Sequence, residues 1–191
     1  MADLEYDKYL LRRKILRLFG AAFHIYNEQG ELQFYVNQKG FKLKEDIRVF
    51  TSEDMTEEII LISARNAIDF SATYDVMDST TGERLGSLKR KGFKSMLKDE
   101  WIIQDINDNS IGDIKEDSMV LALVRRILTN LVPQTFIGSV KEAKVFSLKQ
   151  NFNPFVQKMS LDFSYDTNHL LDKKLGIAAA ILICAIEGKQ Q

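Results

Sequence analysis

The segment that most constrains the fold is Leu175-Gly176-Ile177-Ala178-Ala179-Ala180-Ile181-Leu182-Ile183-Cys184-Ala185-Ile186, held between Lys174 and Glu187. None of these 12 residues is charged. A helix built from them is apolar on every face, so it must be surrounded by lipid or by protein. Length decides between the two. At about 1.5 Å per residue the run spans roughly 18 Å, whereas a bilayer core of roughly 30 Å needs about 20 residues. The lipid reading fails on length, and the rest of the chain must wrap this helix. Gly176 and the four alanines let surrounding walls approach closely.

The wrapping material is β structure. Most of residues 22–164 read as short strand-like runs punctuated by turns. Phe23–Tyr26 and Leu32–Val36 flank Asn27-Glu28-Gln29-Gly30, and Phe70–Met77 and Arg84–Lys89 flank Asp78-Ser79-Thr80-Thr81-Gly82. Trp101–Ile106 and Ile111–Ile114 flank Asn107-Asp108-Asn109-Ser110. All three are hairpin signals. Further runs are Ile47–Thr51, Glu58–Ser63, Thr135–Val140, Ala143–Lys149 and Val156–Tyr165. The partial alternation of Ser71–Asp78 suits a strand with one buried face. A barrel closed around the helix satisfies both observations, because closure removes edges and the helix fills the interior. One stretch departs from this pattern. Asp117-Ser118 can cap an amphipathic helix from Met119 to about Leu131, stopped before Pro133.

With 191 residues the chain can bury one core without disulfides or metals, and residues 1–191 read as a single domain. No linker, low-complexity tract or repeat divides it. The N-terminus lacks a basic region followed by an apolar stretch, so no signal peptide is read there. The single cysteine, Cys184, cannot form an internal disulfide and fits a reducing compartment. The expected location is the cytoplasm, with peripheral attachment to the inner membrane surface if lipid is bound; no transmembrane segment is expected.

Net charge is −1, which argues against generic nucleic-acid affinity. Two basic clusters stand out locally. Between Arg84 and Lys98 lie Lys89, Arg90, Lys91 and Lys94 with no acid among them, and Arg12-Arg13-Lys14 is followed by Arg17. The ordinary reading of such runs is a solvated face; the functional one is an anion-binding patch.

At these residues the chain resembles a known family. Tyr9-Leu10-Leu11-Arg12-Arg13-Lys14 and Phe23-His24-Ile25-Tyr26-Asn27-Glu28-Gln29-Gly30-Glu31 look like the opening of the LURP-one-related family. Tyr74-Asp75-Val76, Thr81-Gly82-Glu83, Leu85–Lys91, Trp101, Ile111-Gly112-Asp113-Ile114 and the approach Asp172-Lys173-Lys174-Leu175 extend the likeness over nearly the whole chain. The resemblance implies the tubby C-terminal-like fold shared with phospholipid scramblases, a roughly twelve-stranded antiparallel barrel enclosing a hydrophobic C-terminal helix. It also implies a ligand site. Tubby proteins bind phosphoinositide headgroups through a Gly-Lys-Leu-Arg-type strand, to which Gly86-Ser87-Leu88-Lys89 is similar, with Ser87 in place of the first base.

Candidate anionic-headgroup ligands are therefore Lys89, Arg90, Lys91, Lys94 and Lys98, with Arg12, Arg13 and Lys14 as a secondary cluster. Strand alternation places Ser87, Lys89 and Lys91 on one face and Leu88 and Arg90 on the other. Scramblase activity has less support. Asp162, Asp166 and Asp172 are too widely spaced for a calcium loop, and no cysteine-rich or proline-rich segment is present. No nucleophile motif accompanies His24 or His169, and no phosphate loop or metal-spaced set appears, so no catalytic residue, cofactor or metal is assigned. The expected function is a non-enzymatic module binding membrane phospholipid, phosphoinositide or another anionic ligand. The alternative is a protein-interaction scaffold, and transcriptional control through nucleic acid ranks last.

Overall fold

A computed structural model describes residues 4–16, 20–38, 46–65, 72–91, 100–117, 134–151 and 158–187. Twelve strands run in sequence order around a closed antiparallel ring: β1 (Lys8–Leu16), β2 (Gly20–Tyr26), β3 (Leu32–Gln38), β4 (Ile47–Phe50), β5 (Glu58–Ala64), β6 (Thr73–Asp78), β7 (Arg84–Arg90), β8 (Glu100–Gln104), β9 (Ser110–Glu116), β10 (Thr135–Val140), β11 (Ala143–Asn151) and β12 (Lys158–Asp162). β12 returns to pair with β1, from Lys8 opposite Asp162 to Arg12 opposite Lys158. Each of these strands thus has two neighbours, and none of the described strands is an edge that could template aggregation.

The alternation read from the sequence becomes the inside and outside of this ring. In β10, Phe136, Gly138 and Val140 are buried while their neighbours are partly exposed. β8 and β12 repeat the pattern. One strand was not anticipated. β1 carries the Arg12-Arg13-Lys14 cluster, whose charges interrupt its apolar pattern, yet Tyr9 and Leu11 are buried in the core. The β6 run begins later than its composition suggests, at Thr73. The helix expected over 119–131 lies outside the described residues.

Five register shifts sit close to the turns of one end, at Ile25/Tyr26, Val49/Phe50, Val76/Met77, Ile103/Gln104 and Gly138/Ser139. A bulge bends its strand and increases local twist. At Gly138 no side chain would fit, because a Cβ would stand 2.2 Å from the Phe146 ring.

Inside the ring runs α1 (Lys173–Glu187), with every residue from Leu175 to Ile186 buried. An eight-stranded barrel is just filled by its own side chains, so twelve strands leave room for a helix about 10 Å across. Asp172 caps its start, accepting from the Lys174 and Leu175 backbone N–H groups at 2.7 and 3.3 Å. The two lysines of the first turn then fasten it to the wall. Lys173 Nζ donates to the Tyr6 carbonyl and to Asp7 Oδ1, both at 3.0 Å, while Lys174 Nζ pairs with Asp78 at the end of β6. Lys174 and Asp78 are 13% and 12% exposed, so their charges are held largely out of water. Burial raises the Asp78 carboxyl, but hydrogen bonds from Lys174 and Thr80 outweigh it and leave the group below its ordinary value.

Two outcomes test this architecture. Ala180→Asp places an unpaired charge inside the barrel and should cost several kcal/mol, abolishing cooperative melting; a normally melting variant would mean that the helix is not internal. Because the folded Asp78 resists protonation, its contribution is complete above about pH 4. It is lost as the pH falls through the folded value. Asp78→Asn should lower stability at neutral pH by roughly 3 kcal/mol, and its deficit relative to the unmodified chain should shrink in acid, read from denaturant midpoints at pH 7 and pH 3.

Candidate functional site

β7 carries the main basic run, and the structure sends its charges in different directions. Gly86 and Leu88 face α1, and a Cβ on Gly86 would lie 3.3 Å from Leu175 and 2.3 Å from the Gln104 carbonyl oxygen. Its φ of +154° is a further reason for glycine there. Ser87, Lys89 and Lys91 take the outer face, as alternation requires. Ser87 is nevertheless fully buried, because Gln104 Oε1 at 3.0 Å and Asp108 Oδ1 at 3.4 Å cover its hydroxyl. Lys89 is exposed between Thr73 and Ile102, both uncharged. Lys91 Nζ lies 2.8 Å from Glu100 Oε1, which Lys115 also approaches at 3.5 Å. Arg90 is half-buried, opposite Trp101 on the face that Leu88 shares. Lys94 and Lys98 lie outside the described residues.

Arg84, at the start of the run, is neutralised. Arg65 grips Asp75 through Nε and Nη2, both at 2.7 Å, and reaches Asp108 through Nη1 at 3.0 Å and Nη2 at 2.7 Å. Arg84 contacts Asp75 at 2.9 Å and also pairs with Asp108. Hydrogen bonds from Arg65 and Arg84 hold the Asp108 carboxyl far below the ordinary carboxylate range, and Asp75 and Asp108 raise Arg65. Exposed pairs contribute little singly. Here two bases and two acids cancel, clasping β6, β7 and the β8–β9 turn together.

The N-terminal cluster divides as well. Arg12 is exposed on the outer wall, whereas Arg13 is partly buried with its guanidinium 5.9 Å from the Phe23 ring centroid. Burial lowers the Arg13 pKa. The Lys14 side chain lies outside the described residues. His24 Nε2 is 2.7 Å from Glu53 Oε1, and the ring lies between Tyr26 and Tyr35 at centroid distances of 6.1 and 5.2 Å. His169 is exposed in the loop before α1 with a φ of +51°. Cys184 is buried with its Sγ 3.0 Å from Met159 Sδ, and desolvation pushes its thiol up to about 12. Among the described residues, no group of three or more His, Cys, Asp and Glu side chains is placed to hold a metal.

One feature escaped sequence reasoning. The antiparallel meander gathers six connections at a single end: 27–31, 51–57, 79–83, 105–109, 141–142 and 163–172. These turns hold eleven carboxylates, from Glu28 to Asp172, against one base, Lys141, a net of −10. Part of this charge is met at the same end, where Lys8 approaches Glu28, Arg84 pairs with Asp108, and Lys173 and Lys174 pair with Asp7 and Asp78. In sequence the acids are scattered through the turns and blend into a balanced composition; only the strand order brings them together.

The sequence matches the protein-family model described as LURP-one-related over residues 32–178. No curated protein and no solved structure gives a significant match.

The inert environment of Cys184 has a direct check. Ellman's reagent at pH 8 should not label the folded protein and should label one thiol after denaturation; labelling of the native state would show that the barrel interior opens.

Proposed function

The chain belongs to the LURP-one-related family, and from that premise we propose that it is a non-enzymatic module binding phosphorylated headgroups at an anionic membrane surface. Lys89, exposed on the outer wall between the uncharged Thr73 and Ile102, carries this reading. An anionic leaflet attracts bases exposed on the outer wall, each one near the surface contributing about 1 kcal/mol. The helix already fills the barrel interior, which leaves ligand contact to the outer wall and the connections. In the tubby-like pattern implied by the resemblance, headgroup contacts fall on the strand matching Gly86–Lys89. Ser87 cannot supply one from beneath Asp108, so Lys89 leads, with Arg90, Lys91, Lys94 and Lys98 as supporting charge. Among the described residues no helix is long and apolar enough to cross a membrane, and attachment in this reading is peripheral, at the cytoplasmic leaflet.

A second reading has its own observation. Met55, Ile106 and Tyr165 are 41%, 58% and 45% exposed in three turns of the acidic end. Apolar tips amid carboxylates suit a basic protein partner, for which the barrel would be a scaffold.

Co-sedimentation with phosphoinositide-containing vesicles separates the two. Lys89→Gln/Lys94→Gln/Lys98→Gln should weaken vesicle binding at least about tenfold while leaving the melting temperature unchanged, and binding by the unmodified chain should fall as salt screens the surface. Unchanged binding in the triple variant would remove this patch from the contact. Absence of vesicle binding at low salt, with a stoichiometric protein partner captured by the acidic end, would favour the scaffold.

A further inference from the structure

A groove of about 720 Å³ crosses the outer wall where β12, β1 and β2 adjoin. Arg12 and Lys158 line it and stand directly opposite each other in the β1–β12 register. Like charges in that position repel and destabilise a sheet. Among the described residues no carboxylate pairs with either side chain. A small dianion between them would relieve the repulsion: a guanidinium fork reads phosphate oxygens two at a time, and the lysine adds a compact charge.

The other end of the groove has the opposite character. Lys8 lies 3.7 Å from Glu28 and opposite Asp162, leaving a net charge of −1. It repels a second anionic group and accepts hydrogen bonds from hydroxyls or amines. Leu10 and Tyr26 line the stretch between the ends, which are four residues apart along β1, roughly 13 Å. β1 and β7 are six places apart in a ring of twelve, on opposite sides of the barrel. A flat surface met by Lys89 cannot reach this groove.

We propose that the groove is a binding site for a small soluble phosphate monoester, its phosphate held between Arg12 and Lys158 and its hydroxyl or amino groups turned toward Glu28 and Asp162. The site is distinct from the headgroup contact proposed on β7 and does not depend on it. Inorganic phosphate, glycerol 3-phosphate and phosphatidic acid vesicles distinguish the sources. Both soluble probes should raise the melting temperature of the full chain, glycerol 3-phosphate more than phosphate. Arg12→Gln/Lys158→Gln should weaken their binding roughly tenfold or more by calorimetry, while Lys89→Gln leaves it unchanged. Without ligand, Lys158→Gln should melt no lower than the unmodified protein, because the repulsion is gone. The proposal is overturned if neither soluble probe binds, if the double variant binds them normally, or if Arg12→Gln/Lys158→Gln abolishes vesicle binding alone. Loss of vesicle binding in the Lys89 variants with phosphate binding intact would separate the two sites.

Discussion

A helix with no polar face cannot rest against water, and the remainder of the structure answers that constraint. Burying Leu175–Ile186 on all sides requires a wall that is continuous and apolar inward. Twelve antiparallel strands provide it, since closure satisfies every backbone ladder and the diameter accommodates a helix. The small residues of α1 matter because they meet large ones: the Phe163 ring sits where a side chain on Gly176 would be. At the entrance the transition from water to apolar interior is abrupt. Lys173 and Lys174 meet Asp7 and Asp78 there, so the last charged groups before the apolar run are paired rather than stranded.

With the interior occupied, chemistry moves outward, and topology determines where charge collects. An up-and-down barrel sends alternate connections to opposite ends. Six of them bring their carboxylates to one rim, where Lys8, Arg84, Lys173 and Lys174 meet part of that charge. The outer wall is patterned more finely. Around Arg65, Asp75, Arg84 and Asp108, opposite charges cancel and tie neighbouring strands together. At Lys89 and at the Arg12–Lys158 pair, no such cancellation occurs among the described residues. The family match is compatible with ligand binding on this exterior without specifying the ligand.

Much of the architecture was legible in the residues. The three hairpin signals fall on turns between β2 and β3, β6 and β7, and β8 and β9. The central helix follows from its lack of charge. β1 was less legible because an Arg-Arg-Lys cluster conceals its alternation, although Tyr9 and Leu11 face the core. The candidate site was legible only in part. Alternation correctly separated Lys89 from Arg90, but nothing local reveals that Glu100 meets Lys91, or that Asp108 lies near Ser87 and pairs with Arg84.

The sequence by itself determined that a short, wholly apolar helix must be enclosed, and that β structure would enclose it. Those conclusions depend on solvation and periodicity, which act over a few residues. Tertiary structure alone decided which charges meet. Arg12 stands opposite Lys158 although 146 positions separate them, because barrel closure pairs the first strand with the last. The acidic rim has the same origin: electrostatic interaction depends on distance in space, and only strand order converts distance along the chain into distance in space.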